Sequence, residues 1–372
     1  MQRFQMRCSE SSRCRRAERK MSTSCCRMLS LMSLLPLLNA TASFRPCPGS
    51  CLCYRSSDLV DCRSSGLDQV PSDVPKGTWL LDLSGNKVED VHTRSFMGLW
   101  ALRILLLSNN SIHTLHPQAL LSLQFLERLD LSFNRLRSLP PDFTQSLSSL
   151  QELRLDHNLL KHLDSASLED SDNLRKLDLS HNRIQYMDVK AFNSLSRLRL
   201  LNLQGNRLNV LMNGLLSRQQ ALEVLLLGDN NISTIEAEAL APLRSLTLLG
   251  LHGNQLEHIK FKTFLKLQTT STHIQMSRNP WICDCDLQRV FGKIQHVRHL
   301  HVEDYKDIVC HAPPQQAGSL LASMDSQLCM AETATVLVIT ITVMIAVIGA
   351  LIKAERNRKN KQAASDAESA EK

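Results

Sequence analysis

The chain has 372 residues, of which 43% are apolar but only 4% aromatic, so we expect a core built mainly from leucine. A charged fraction of 21% excludes a wholly disordered chain. The net charge of +7 comes from the N-terminus, because residues 1–42 hold eight Lys/Arg and two Asp/Glu and the remainder holds 35 basic and 34 acidic residues. This near balance argues against a nucleic-acid partner, which would require a basic patch.

Residues 1–42 carry the features of a secretory signal peptide. The apolar run 28–38 follows Arg27, and Ala40-Thr41-Ala42 fits a small-residue cleavage site. The run is shorter than a helix that crosses a bilayer. An uncleaved signal anchor is the alternative, and Met21 or Met28 would also serve as the initiator. We expect a mature chain that begins near residue 43 in an oxidising compartment, where cysteines form disulfides.

A cluster of cysteines follows directly, in a segment 43–76 that we interpret as an N-terminal cap. Its members are Cys47, Cys51, Cys53 and Cys62. A second cluster lies in the segment 272–329, which we interpret as a degenerate ninth unit of the repeating pattern described below, followed by a C-terminal cap. Its members are Cys283, Cys285, Cys310 and Cys329. The mature chain therefore holds an even number of cysteines, which favours disulfides over metal binding, although spacing alone leaves the pairing open.

Between the two clusters, asparagine recurs every 24 residues. The eight positions are Asn86, Asn110, Asn134, Asn158, Asn182, Asn206, Asn230 and Asn254. The pattern Leu-x-x-Leu-x-Leu-x-x-Asn-x-Leu holds closely around each of them. This pattern resembles the leucine-rich repeat, so residues 77–271 are predicted to form eight 24-residue repeats.

The repeat has a physical explanation. Side chains alternate along a strand, so both leucines of Leu-x-Leu enter the core. The second half of each repeat adds an apolar plug: Phe96, Leu120, Phe143, Leu168, Phe192, Leu216, Leu240 and Phe264. The resemblance implies that each Asn side chain bonds the backbone of neighbouring turns. Because one repeat cannot bury its own apolar face, the repeats should stack into an α/β solenoid, an arc with a parallel sheet on its concave side.

The two cysteine clusters resemble the caps of extracellular leucine-rich repeat proteins. The C-terminal cluster carries the motif Asn-Pro-Trp-x-Cys-Asp-Cys of those caps at residues 279–285. The resemblance implies the pairs Cys47–Cys53, Cys51–Cys62, Cys283–Cys310 and Cys285–Cys329. We therefore expect a solenoid that is disulfide-capped at both ends.

Proteins of this family usually bind on the concave sheet, whose outward side chains follow from the repeat. Repeats six to eight are predicted to present an apolar group that contacts a partner: Leu200, Val224, Leu226 and Leu248. Repeats three to five are predicted to present charged side chains: Arg128, Glu152, Arg154 and Lys176, with Asp130 and Asp178. These charges either contact the partner as well or form a ladder of cross-strand ion pairs.

Two glycosylation sequons begin at Asn109 and Asn231. Both predict N-linked glycans on a secreted chain, unless the sequons stay unoccupied. Asn109 is expected at the end of a strand, so its glycan would shield the N-terminal part of the concave face.

Residues 333–352 are twenty uncharged, mostly apolar residues, enough to cross a bilayer as a helix. Basic residues follow at 353–361, as is typical of the cytoplasmic side. The alternative, a buried core helix, is disfavoured because the segment has no polar face. We expect a single-pass type I protein of the plasma membrane with a cytoplasmic tail at 353–372. Thr342, Ala346 and Ala350 form a small-residue stripe that would allow lateral helix packing, unless it reflects ordinary composition.

Two functions fit this organisation. The first is a cell-surface receptor or adhesion protein that binds a protein partner through its ectodomain. The alternative is an auxiliary, gamma-type subunit that modulates an ion channel or receptor complex in the same membrane. The three residues between Cys329 and the span favour a partner close to the bilayer. Neither catalysis nor a cofactor or metal is expected, because no nucleophile–base pair, phosphate-binding loop or zinc spacing occurs.

Overall fold

A computed structural model describes residues 47–267, 269–324 and 326–370. The predicted signal peptide at residues 1–42 lies outside the described residues. The strands in chain order are Leu52–Tyr54 (β1), Leu59–Asp61 (β2), Leu80–Asp82 (β3), Asp90–Val91 (β4), Ile104–Leu106 (β5), Thr114–Leu115 (β6), Arg128–Asp130 (β7), Glu152–Arg154 (β8), His162–Leu163 (β9), Lys176–Asp178 (β10), Tyr186–Met187 (β11), Leu200–Asn202 (β12), Val210–Leu211 (β13), Val224–Leu226 (β14), Thr234–Ile235 (β15), Leu248–Gly250 (β16), Thr272–Gln275 (β17), Trp281–Ile282 (β18), Leu300–Val302 (β19) and Cys310–Ala312 (β20).

A twelve-stranded sheet runs the length of the repeat region in the order β1-β2-β3-β5-β7-β8-β10-β12-β14-β16-β17-β19. Strands β1 and β2 are antiparallel, and the later neighbours are parallel. Each repeat pairs in register with the next, so that Lys176 lies opposite Leu200 and Leu200 opposite Val224. The parallel solenoid predicted from the 24-residue period is therefore confirmed. Its other side carries two-residue strands in pairs, such as β4 with β6 and β9 with β11.

Leucine fills the interior of the solenoid, as the composition predicts. Both leucines of each Leu-x-Leu are buried, for example Leu105 and Leu107. The predicted plugs are buried as well, including Phe96 and Phe192. Burial of apolar surface contributes roughly 25 cal/mol per Å², and each turn covers the apolar face of its neighbours. The stack of repeats is thus the unit of stability.

The repeated asparagines form a hydrogen-bonded ladder beneath the sheet. Asn134 Nδ2 donates to the carbonyls of Leu107 (2.9 Å) and Leu131 (3.0 Å), and its Oδ1 accepts from the Ile112 amide (3.0 Å). The same arrangement recurs at Asn110, Asn158, Asn182, Asn206, Asn230 and Asn254. These bonds satisfy backbone groups that would otherwise be buried without partners.

The C-terminal cap closes the last turn with an aromatic plug and a helix. Trp281 is fully buried, its Nε1 donates to the Met276 carbonyl (3.0 Å), and its ring meets Phe291 edge-on at 5.8 Å. The helix Cys285–His296 (α2) is preceded by Asp284, whose side chain accepts from the Leu287 amide at 2.8 Å. This is an N-cap, which satisfies one of the first-turn donors. The remaining helices are Lys262–Leu265 (α1), Ser326–Ala370 (α3) and two 3-10 segments, Tyr305–Asp307 and Leu321–Ser323.

Helix α3 contains one stretch, Ala334–Lys361, that is long and apolar enough to cross a membrane by length and composition. Its most apolar window has a mean hydropathy of 2.8 and is not buried. The small residues Thr342, Ala346 and Ala350 all lie exposed on this helix. A buried core helix is therefore not what the segment forms.

Candidate interaction surface on the concave sheet

The parallel register brings the predicted apolar residues together on the outward face of the sheet. Leu200, Val224 and Leu248 lie opposite one another on β12, β14 and β16. Leu226 lies between Asn202 and Gly250 in the adjacent row. We call Leu200, Val224, Leu226 and Leu248 the apolar strip.

The side chains of the apolar strip are half-buried. The repeat pattern had predicted that they would be exposed. Neighbouring strands lie only about 4.8 Å apart, so side chains of one row cover each other. Leu226 in addition leans over Gly250, where an added Cβ would be 3.4 Å from its Cδ2. The strip is consequently a flat apolar area whose side chains already support one another.

The charged centre of the sheet is largely a ladder of ion pairs, one of the two arrangements that the sequence allows. Arg128 Nε lies 3.6 Å from Glu152 Oε1. Arg154 lies 3.6 Å from Asp130 and 3.3 Å from Asp156. Burial alone would lower the pKa of Arg154, but these carboxylates raise it overall. Arg128 is thus paired with one carboxylate of the sheet and Arg154 with two.

Lys176 differs from these charged residues. It is exposed, and it forms no ion pair in the part of the chain that the structure describes. It precedes Leu200 in the same row, at the edge of the apolar strip. A partner on the strip would therefore meet one free cation.

An aromatic ladder at the margin of the sheet was not anticipated from the sequence. The Phe133 and His157 rings stack at 4.1 Å with an angle of 12°, and His157 and His181 follow at 4.5 Å. All three have positive φ, near +54°, and Phe133 is 48% exposed. His157 also lies 3.1 Å from Asp156. The signal was available in the sequence, because an aromatic ring directly precedes the repeated asparagine in three consecutive repeats, at Asn134, Asn158 and Asn182.

A second unanticipated surface is apolar and lies at the turns of the first two repeats. Met97 and Leu121 occupy equivalent positions in consecutive repeats and are 72% and 49% exposed. Trp100 and Phe125, near them in sequence, are also exposed. Among the described residues, these four side chains are thus more exposed than those of the half-buried apolar strip.

The two sequon asparagines differ in their surroundings. Asn109 is exposed, and no hydrogen bond of its side chain is formed within the described part of the chain. Gly85 in the preceding turn carries no side chain beside it. Asn231 is exposed too, but its Nδ2 donates to Asn209 Oδ1 at 3.0 Å.

The cysteines form the same four pairs that the resemblance implies. The disulfides are Cys47–Cys53, Cys51–Cys62, Cys283–Cys310 and Cys285–Cys329.

Beside the N-terminal pairs, Arg63 donates to Asp61, and this hydrogen bond lowers the pKa of the Asp61 carboxyl. Within the described residues, no group of three or more His, Cys, Asp or Glu is arranged to hold a metal ion.

The fold and its caps define a class: a parallel-stranded solenoid with an asparagine ladder and disulfide-bonded ends. The family described as "Leucine rich repeat" matches residues 80–136, 124–184, 172–218 and 196–256. Residues 80–256 thus consist of leucine-rich repeats, and disulfide-bonded caps lie at both ends of the repeat region.

Curated relatives match over short regions. Asporin of Bos taurus is 40% identical over 63 residues, which is 17% of this chain and 16% of asporin. Leucine-rich repeat and transmembrane domain-containing protein 1 of Mus musculus is 33% identical over 85 residues, 22% of this chain and 24% of that protein. Leucine-rich repeat-containing protein 3B of Homo sapiens is 37% identical over 85 residues, 23% of this chain and 32% of that protein. The chain thus aligns with less than a third of the length of these relatives.

Solved structures share the fold more extensively. Human 5T4 (Wnt-activated inhibitory factor 1, trophoblast glycoprotein) is 23% identical to this chain and superposes with a TM-score of 0.57. The alignment covers 77% of this chain and 98% of the 5T4 chain. A chain of the octameric complex of Latrophilin 3, Unc5D and FLRT2 is 21% identical to this chain and superposes with a TM-score of 0.52. The alignment covers 75% of this chain and 98% of that one. At these identities the likeness concerns the fold alone.

Proposed function

We propose that this chain is a cell-surface receptor or adhesion protein that binds a protein partner through the concave face of its repeats, without catalysis. The observation that carries the proposal is the apolar strip, three consecutive strands with aliphatic side chains directed away from the core. A flat, half-buried aliphatic area is suited to protein recognition, in which apolar anchors supply most of the binding energy. Arg128, Glu152, Arg154 and Lys176 would then contact the rim of the partner and contribute to specificity.

The disulfides and helix α3 support a topology for the chain. Four disulfides favour an oxidising compartment for the repeats, so we place them outside the cell. The basic residues from Lys353 onward would then lie in the cytoplasm. We accordingly propose a mature type I protein of the plasma membrane, with caps at 43–76 and 272–329 and repeats at 77–271.

We further propose N-linked glycans at Asn109 and Asn231. Both asparagines are exposed, which leaves their side chains accessible to modification. The glycan at Asn109 would stand at the N-terminal end of the concave face and leave the apolar strip open.

The relatives support a binding role in general terms. The structure that contains FLRT2 is a complex with Latrophilin 3 and Unc5D, so a chain with this fold assembles with other proteins there. The curated relative of Mus musculus is named for leucine-rich repeats and a transmembrane domain, the combination found here.

Cell-surface crosslinking followed by mass spectrometry tests the proposal on full-length protein. Three forms are compared: the parent, a strip variant (Leu248→Asp), and a span variant (Thr342→Leu, Ala346→Leu, Ala350→Leu). We expect the parent and the span variant to capture the same partner and the strip variant to lose it. Loss in the span variant alone would instead favour the auxiliary-subunit function, exerted by helix packing in the membrane.

A further inference from the structure

Five basic side chains lie on one flank of repeats three to six, away from the apolar strip. They are Arg135, Arg137, Lys161, Arg183 and Arg207, and we call them the basic stripe. All five are exposed. The near balance of charge along the chain does not reveal this local group of cations.

Backbone hydrogen bonds fix the geometry of the basic stripe. The Arg183 amide donates to the Leu160 carbonyl, and the Arg207 amide to the Ile184 carbonyl, both at 2.9 Å. Successive turns therefore stack about 4.8 Å apart, so the stripe spans about 15 Å over four turns. Arg135 and Arg137 lie on either side of buried Leu136 and point to the same side.

The basic stripe has no acidic counterpart within the described part of the chain. None of its five side chains forms an ion pair or hydrogen bond there. Two acidic residues that follow in these turns accept from backbone amides instead. Asp164 Oδ1 accepts from the Ser167 amide of its own turn (2.8 Å), and Asp188 Oδ2 accepts from the Ser165 amide of the preceding turn (3.2 Å). Neither carboxylate is therefore paired with a cation of the stripe among the residues that the structure describes.

The neighbouring turns delimit the basic stripe. The turn before it has Ser111 and His113 at the equivalent positions, and the turn after it has Asn231 and Ser233. The stripe thus combines two nearby positions of the turn, with Arg135, Arg183 and Arg207 at one and Arg137 and Lys161 at the other, and it ends at turns that are uncharged or weakly basic.

We propose that the basic stripe binds a linear sulfated polysaccharide of the glycosaminoglycan type. Guanidinium groups contact sulfate-like oxyanions through paired hydrogen bonds, and four of the five residues are arginine. A rigid line of cations fits a chain-shaped polyanion better than it fits a flat lipid surface. This site is separate from the apolar strip, so the proposal does not depend on the function proposed above.

The test uses full-length protein in detergent and immobilised heparin as the probe. The stripe variant carries Arg137→Gln, Arg183→Gln and Arg207→Gln. A matched control carries Arg94→Gln, Arg218→Gln and Arg244→Gln, three exposed arginines elsewhere that form no ion pair in the described residues. Both variants lose three charges and keep the same N-terminal and tail cations, so only the location of the charges differs.

We expect the stripe variant to bind heparin at least about tenfold more weakly at 0.15 M salt, with a shallower salt dependence, because fewer counterions are released. The control should remain within about twofold of the parent, and both variants should keep the parent's melting midpoint. Equal loss in both variants, or unchanged binding in the stripe variant, would overturn the proposal. It would also be overturned if the stripe substitutions affected binding to phosphatidylserine vesicles or to DNA but not to heparin.

Discussion

The carboxylate of Asp229 lies where residue 253 would carry a side chain, since a Cβ added to Gly253 would be 2.2 Å from Asp229 Oδ1. Gly253 also has a φ of +64°, a backbone conformation that residues other than glycine adopt at a cost in free energy. Asp229 uses the free space to accept from Gln204 Nε2 (3.0 Å) and to pair with Arg278 Nη2 (3.1 Å). The missing side chain thus allows one carboxylate to link neighbouring turns.

Gly253→Ala is therefore expected to destabilise the protein. The left-handed backbone alone costs about 1–2 kcal/mol for a non-glycine residue, and displacement of Asp229 adds to this. The melting midpoint of the full-length protein measures the loss. Gly292→Ala is the control, because Gly292 lies in helix α2 with no atom within 4 Å of an added Cβ. The control should be neutral or stabilising, and equal melting of G253A and the parent would contradict the argument.

Removal of one rung of the asparagine ladder should be more costly. Asn158→Ala leaves the Leu131 and Leu155 carbonyls and the Leu136 amide without their partner. Each unsatisfied buried group costs about 1–3 kcal/mol, so we expect a total of about 3 kcal/mol or more. Denaturant unfolding compares this variant with Asn193→Ala, an exposed asparagine whose change should cost less than about 0.5 kcal/mol. Similar losses for the two variants would argue against a structural role of the ladder.

The N-terminal cap should respond to acid through Asp61. The hydrogen bond from Arg63 lowers the Asp61 pKa, so the stabilisation is present above the usual carboxyl range and is lost as the pH falls through the lowered value. Arg63→Gln removes this contribution. The melting midpoints of the parent and R63Q should differ at pH 7 and converge once the pH has fallen below the lowered Asp61 pKa. A difference that persists unchanged at low pH would mean that Arg63 acts through other contacts.

Glycosylation can be checked site by site. Full-length protein from a secretory host should lose one glycan with Asn109→Gln and one with Asn231→Gln, seen as stepwise changes in intact mass. The double variant should match the enzymatically deglycosylated parent after allowance for the substitutions. Identical masses before and after enzymatic deglycosylation of the parent would contradict both assignments.

The repeating features of the fold were accessible from the sequence because the 24-residue period requires them. The same period that places Leu105 and Leu107 in the core places Asn110 in the ladder, so strands, plugs and register follow together. The exposure of Val224 and Leu226 was overestimated, because the repeat defines which way a side chain points but not how closely its neighbours cover it.

Surfaces assembled across repeats were harder to predict. Arg183 and Arg207 are 24 residues apart in sequence, so charge counts over segments average them with acidic residues on other faces. The stacked rings of Phe133 and His157 were missed for the same reason. Only the position of each residue within its turn, compared across repeats, reveals such surfaces.

The most direct test of the central claim is the affinity of full-length protein for the partner that surface crosslinking identifies. Val224→Asp lies in the apolar strip, and Val189→Asp is the matched change at a valine 44% exposed outside it. We predict at least tenfold weaker binding for V224D, a loss of about 1.4 kcal/mol, with V189D and the parent alike and all three melting together. Unchanged affinity in V224D, or equal loss in V189D, would contradict recognition through the concave sheet.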